Sequence, residues 1–181
     1  IHDTTLALMR DVAAHARQRA QTLLIKPIFT QLVLDIGRSL LVKPSSLEMQ
    51  DSKAWAEVIL EKRWQKLRKR CHGFATLGSS ERHLARIAAK KMRYTAEAFV
   101  PLYGKHANHF ITALAALQDE LGRENDMRAG VQLLRALPKK SIPLSFELGR
   151  LSGALEFEAA QHAHLSNSVW RRLEKSELFW R

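Results

Sequence analysis

No stretch of this chain alternates apolar and polar residues for long enough to give a β-strand one dry face, so helices must build the core. Backbone breakers are few and spaced, with eight glycines and five prolines in 181 residues. Between them, apolar positions recur at three- and four-residue steps, the period of an amphipathic helix. The spacing predicts helices over 5–24 (stopping near Pro27), 29–41 (ending before Pro44), 53–71 and 82–103. Ser45, Ser46 and Asp51 fall in a loop. Gly73 and the Gly78-Ser79-Ser80 turn separate the third helix from the fourth, with Ser79 or Ser80 as its N-cap, and Gly104 ends it. A helix over 105–121 is then expected to close at Gly122. The next restarts with Asn125 or Asp126 as N-cap and stops at Pro138. Another follows Pro143 to His164, and a short one closes over 167–173. The fold expected is all-α, an antiparallel helical bundle of about six to eight helices forming a single domain over residues 1–181.

An apolar content of 46% is that of an ordinary globular chain, and no apolar run is long enough to cross a bilayer. The single cysteine, Cys71, excludes an internal disulfide framework and is compatible with the reducing cytoplasm. With no base beside it, Cys71 is expected to be a small core residue rather than a nucleophile. Ile1 opens neither a signal peptide nor a charged leader, and the missing Met suggests a piece of something longer.

The net charge is +11, and its distribution matters more than its size. Residues 1–61 carry seven Lys/Arg against seven Asp/Glu, residues 62–94 eleven against one, and residues 95–181 eleven against ten. The excess is therefore concentrated in one block, which points to a binding surface rather than a solubility device.

On a helix turning about 100° per residue, His83, Arg86, Lys90 and Arg93 share one stripe. Leu84, Ala88, Met92, Phe99 and Leu102 gather opposite, where a core is expected. The preceding helix repeats the arrangement. Leu60, Trp64, Leu67, Cys71 and Phe74 form its apolar side, Lys62, Lys66 and Lys69 lie opposite, and Arg63 and Arg70 occupy the shoulder. Solvated helix faces usually mix charge signs, because i,i+4 pairs stabilise them and like pairs oppose them. Two adjacent one-signed faces are therefore expected to join in one groove that a polyanion neutralises; the plain alternative is two solvated faces.

Arg and Lys both suit phosphate oxygens. Single-stranded nucleic acid also needs exposed aromatic rings, and only Tyr94 flanks the stripe, since Trp64 and Phe74 point to the core side. No zinc-finger or RNP pattern is present. Charge without stacking favours a ligand that is mostly phosphate, while contact with a duplex backbone stays open.

The run His83-Leu84-Ala85-Arg86-Ile87-Ala88-Ala89-Lys90-Lys91-Met92-Arg93-Tyr94, then Glu97, resembles the hallmark of CHAD domains (conserved histidine α-helical domains). Leu117-Gln118-Asp119-Glu120-Leu121-Gly122, then Asn125-Asp126, is similar to that family's second signature. Trp170-Arg171-Arg172 and Phe179-Trp180 are similar to its C-terminal ending. The resemblance runs from about residue 10 to the end. It implies a helical bundle of two pseudo-symmetric halves that binds inorganic polyphosphate on a basic surface. Some relatives are linked to polyphosphate granules or fused behind a triphosphate-hydrolysing CYTH domain. By the resemblance, His83, Arg86, Lys90 and Arg93 contact phosphate. Lys62, Arg63, Lys66 and Arg70 follow more from the charge pattern, and Arg10 and Arg17 could line the same groove. The family presents one such motif helix per half and this chain shows one, so it resembles a C-terminal half.

Asp119, Asn125 and Asp126 are explained as helix-end residues around Gly122 without a metal. Glu97 and Tyr94 are candidates for positioning neighbouring cations. His106 with His109, and His162 with His164, lack a third ligand at metal spacing and are expected to be solvent-exposed. No phosphate-binding glycine loop, nucleophile elbow or HExxH run is present. No cofactor is expected, and catalysis is not expected from these residues. Two other functions stay open: a helical nucleic-acid-binding protein, and a non-catalytic accessory part of a CYTH-type triphosphatase.

Overall fold

A computed structural model describes residues 3–41, 52–138 and 141–181. Among these are six α-helices: α1 (Asp3–Leu24), α2 (Pro27–Leu41), α3 (Ser52–Arg70), α4 (Ser79–Tyr103), α5 (His106–Ala136) and α6 (Ile142–Glu174). The one further element is a 3₁₀ turn at Phe74–Thr76, and no strand occurs among the described residues. The architecture is all-α. The expected loop through Ser45, Ser46 and Asp51, and the stop before Pro44, lie outside the described residues.

By contacts the chain forms two compact units, Ile1–Glu48 with Pro138–Leu148, and Met49–Leu137 with Gly149–Arg181. In the first, α1 and α2 are largely exposed, and the buried Thr5 hydroxyl donates to the Glu147 carboxylate. Pro27 begins α2, where its missing N–H costs nothing.

The second unit holds the main core. Leu60, Trp64 and Leu67 of α3 meet Met92 of α4, Phe110, Leu114 and Leu117 of α5, and Trp170 and Leu173 of α6. Trp180 closes this core from the C-terminal tail, its ring edge-on to Phe110 at 5.0 Å, and its indole N–H donates to Glu61 at 3.2 Å. Trp170 stacks on Phe74 at 5.9 Å, so the aromatic residues of the C-terminal motif serve packing. Cys71 is buried with them, and burial pushes its thiol up to about 12, which leaves it protonated and inert.

Three boundaries differ from the sequence expectation. Gly78 rather than Ser79 or Ser80 caps α4, its backbone N–H donating to the Glu81 carboxylate at 2.8 Å. Helix α5 runs unbroken through Gly122, so Gly122 is not its end, and Asn125 and Asp126 are not caps. Gly122 lies inside α5 without the positive φ of a helix-ending glycine, which occurs only at Gly73 and Gly104 among the glycines. Helix α6 likewise continues past His164 to Glu174. Its buried Ser166 receives a hydrogen bond from Arg82 in mid-helix, tying to the core the place where a break was expected.

Candidate polyanion-binding surface

The buried line of α4 is Arg82, Ala85, Ala89, Met92 and Ala96. This is rotated toward the basic stripe from the expected core side. Met92 is fully buried and Ala88, Phe99 and Leu102 pack at its margin, but Leu84 is 39% exposed. Small alanines admit neighbouring helices closely, so they rather than the larger leucine face the interior. The basic stripe consequently flanks the core instead of standing opposite it.

On that flank α4 meets α5. His83 Nδ1 lies 3.2 Å from Asn125 Oδ1, and Arg86, one turn on, lies against Gly122, one turn back. The two helices are therefore antiparallel, and the contacts join the two sequence motifs. A Cβ at Gly122 would sit 3.7 Å from Arg86 Nε, so the side chain rests almost on the α5 backbone. Arg86 Nε is buried without a hydrogen-bond partner, as is Gln118 Oε1 on α5. Lys90 is exposed, and its ammonium stands 5.7 Å from the Tyr94 ring centre. Half-buried Arg93 stands 5.3 Å from the same ring. Its Nε is 3.3 Å from Glu97, an ion pair without hydrogen-bond alignment, so Glu97 does hold one cation of the stripe.

The opposite flank of α4 faces α3. There Arg63, Lys66 and Arg70 meet Lys91 around a groove of about 180 Å³ floored by Leu84, Ile87 and Ala88. The two basic groups thus lie on either side of α4 rather than in one groove, with Tyr94 exposed between them. Lys62 is exposed beside a different hollow, near Glu57 and Glu61. Arg10 and Arg17 are exposed on α1, in the first unit.

Periodicity does not single out Arg82 or Lys91. Lys91 joins the surface because both flanks of α4 are used, which a single-stripe reading misses. Arg82 leaves it. Its guanidinium is buried, 3.3 Å from Glu124, 3.0 Å from Ser166 Oγ and 3.1 Å from the carbonyl oxygens of Phe74 and Leu77. Glu124, also buried, accepts from Arg128 at 3.1 Å as well. The burial of Arg82 is legible only from a partner 42 residues away.

Among the described residues no three His, Cys, Asp or Glu side chains gather as a metal site would. His106, His109 and His164 are exposed, but His162 is not: it is half-buried with Nδ1 2.6 Å from Glu120. No described helix is long and apolar enough to cross a membrane.

The family model of the CHAD domain matches residues 2–135, most of the chain. The chain belongs to the CHAD domain family. Both internal motifs lie inside the CHAD match, on α4 and α5, and they are the segments that His83 and Asn125 bring together. The match stops before α6, so the ending around Trp170 and Trp180 falls outside it. No curated protein and no solved structure matches the chain.

Proposed function

We propose that this CHAD domain binds inorganic polyphosphate along the basic surface on the two flanks of α4, acting by binding rather than catalysis. One observation carries the reading. Arg63, Lys66, Arg70 and Lys91 on one flank, and Arg86 and Lys90 on the other, have no ion pair among the described residues. Such a one-signed set repels itself, and a flexible linear polyanion relieves the repulsion along its whole length. His83 and Arg93 extend the same stripe, and Lys62 stands apart on α3, near Glu57 and Glu61. No role is assigned to Arg10 and Arg17. The aromatic residues among the basic side chains support phosphate over bases. Trp64 and Phe74 are buried, and exposed Tyr94 already carries Lys90 and Arg93 at its ring. Such a module would serve retention on cytoplasmic polyphosphate granules or the docking of a phosphate-metabolising enzyme.

A competition titration of long-chain polyphosphate against duplex DNA and RNA, at matched phosphate concentration across a salt series, tests the proposal. Polyphosphate should bind most tightly, with affinity falling steeply as salt rises. Equal binding of all three near physiological salt would reduce the surface to a generic cation patch. Nucleic-acid binding that resists polyphosphate would assign it to nucleic acid.

A further inference from the structure

A second concentration of cations lies away from α4, where the end of α3 meets the end of α6. Arg68 and Lys69 from the last turn of α3, His72 from the turn, and Arg171 from the last turn of α6 border a hollow of about 600 Å³. The side-chain amides of Gln65 and Asn167 line it too. Arg68, Lys69 and Arg171 are exposed and have no ion pair among the described residues. One carboxylate, Glu174, shares the hollow, so positive charge prevails.

The helix dipole explains part of this arrangement. Cations in the last turn of a helix stabilise its carbonyl end, which accounts for basic residues on α3 and on α6 taken separately. It does not account for their converging around one concave space with amide donors between them. There the like charges oppose each other, and the buried Phe74–Trp170 stack forms part of the wall. A point charge, two forks and two amides around a hollow of this size suit a compact ligand with many phosphate oxygens.

We infer that this hollow is a second anion site, which takes a short phosphate chain such as inorganic tripolyphosphate or the triphosphate of a nucleotide. None of its residues belongs to the α4 surface, so the inference stands independently of the function proposed above.

Calorimetric titration of the full chain with tripolyphosphate and with ATP, near physiological salt, tests it. Three proteins are compared: the unchanged chain, Arg68→Gln with Arg171→Gln, and Lys90→Gln with Lys91→Gln. All four positions are exposed, so the folds should be retained, and far-UV circular dichroism checks this. Loss of two charge-assisted contacts should weaken tripolyphosphate by at least about tenfold in the hollow variant, while the α4 variant keeps it. ATP of equal affinity would mean that the phosphate chain alone is read; tighter ATP would mean that a nucleotide is the ligand. Either result supports the site if it depends on Arg68 and Arg171. Tripolyphosphate binding that is absent, that survives in the hollow variant, or that is lost only in the α4 variant overturns the inference.

Discussion

Arg82 and Glu124 form a buried ion pair, Nη1 to Oε2 3.3 Å, and the next residue on each helix, His83 and Asn125, meets its counterpart at 3.2 Å near the surface. The inner pair is structural and the outer pair belongs to the candidate site. One residue of offset therefore separates the side chain that anchors α4 to α5 from the one in the candidate site, and the anchor fixes where that side chain stands.

Breaking the inner pair should cost stability. Glu124→Ala leaves the Arg82 charge without its carboxylate in a dry site, and the loss should be about 3–5 kcal/mol. Urea denaturation measures it. Replacing both partners by apolar residues (Arg82→Met with Glu124→Leu) should recover much of the loss, because no uncompensated charge stays buried.

The α5 helix makes a prediction whose sign depends on its continuity. Were Gly122 a left-handed helix end, alanine there would be strained. In a helix interior, with 3.7 Å between a new Cβ and Arg86 Nε, Gly122→Ala should instead stabilise by about 0.5–1 kcal/mol. Thermal unfolding distinguishes the two, since a lower Tm would contradict the unbroken helix.

Acid should loosen the C-terminal closure. Hydrogen bonds from Arg181 above all, then from Gln65 and Trp180, hold the Glu61 carboxyl at about 2 against an ordinary 4.5, with burial opposing them. A carboxylate depressed by folding stabilises the fold fully above its unfolded value and loses that contribution as pH falls toward its folded one. The contribution of Glu61 should therefore fade between pH 4.5 and about 2. In acid titrations followed by tryptophan fluorescence, Glu61→Gln should lack this segment of pH dependence. Identical profiles for the two proteins would count against the contact.

Charge reversal on α4 should remove polyanion binding without removing the helix. Arg86→Glu with Lys90→Glu should weaken polyphosphate by about a hundredfold or more, with far-UV circular dichroism unchanged. Lys66→Glu with Lys91→Glu, on the α3 side, should also weaken it if the ligand uses both flanks. Undiminished binding in both variants would move the site elsewhere.

Much of this was legible in the residues themselves. The apolar steps Leu60, Trp64 and Leu67 place one face of α3 in the core, and they are buried as expected. Pro27, Gly73, Gly104 and Pro138 fall at or beside helix ends, because missing N–H groups and positive φ act locally, whatever the rest of the chain does. The strongly basic block from Lys62 to Arg93 is equally plain, since it needs only a count. Local punctuation misled at Gly122, which sits inside α5 with room for a side-chain carbon beside Arg86 rather than at a turn.

Helical class, most helix ends and the concentration of positive charge follow from the residues alone, since all depend on neighbours within a turn or two. Which cations remain at the surface is settled by packing. Arg82 goes inward because Glu124, Ser166 and the backbone carbonyl oxygens of Phe74 and Leu77 converge on it, and Lys91 joins Arg63, Lys66 and Arg70 because α3 lies beside α4. Charge is a property of the residue. Its exposure depends on partners brought close by packing, and no period in the sequence records them.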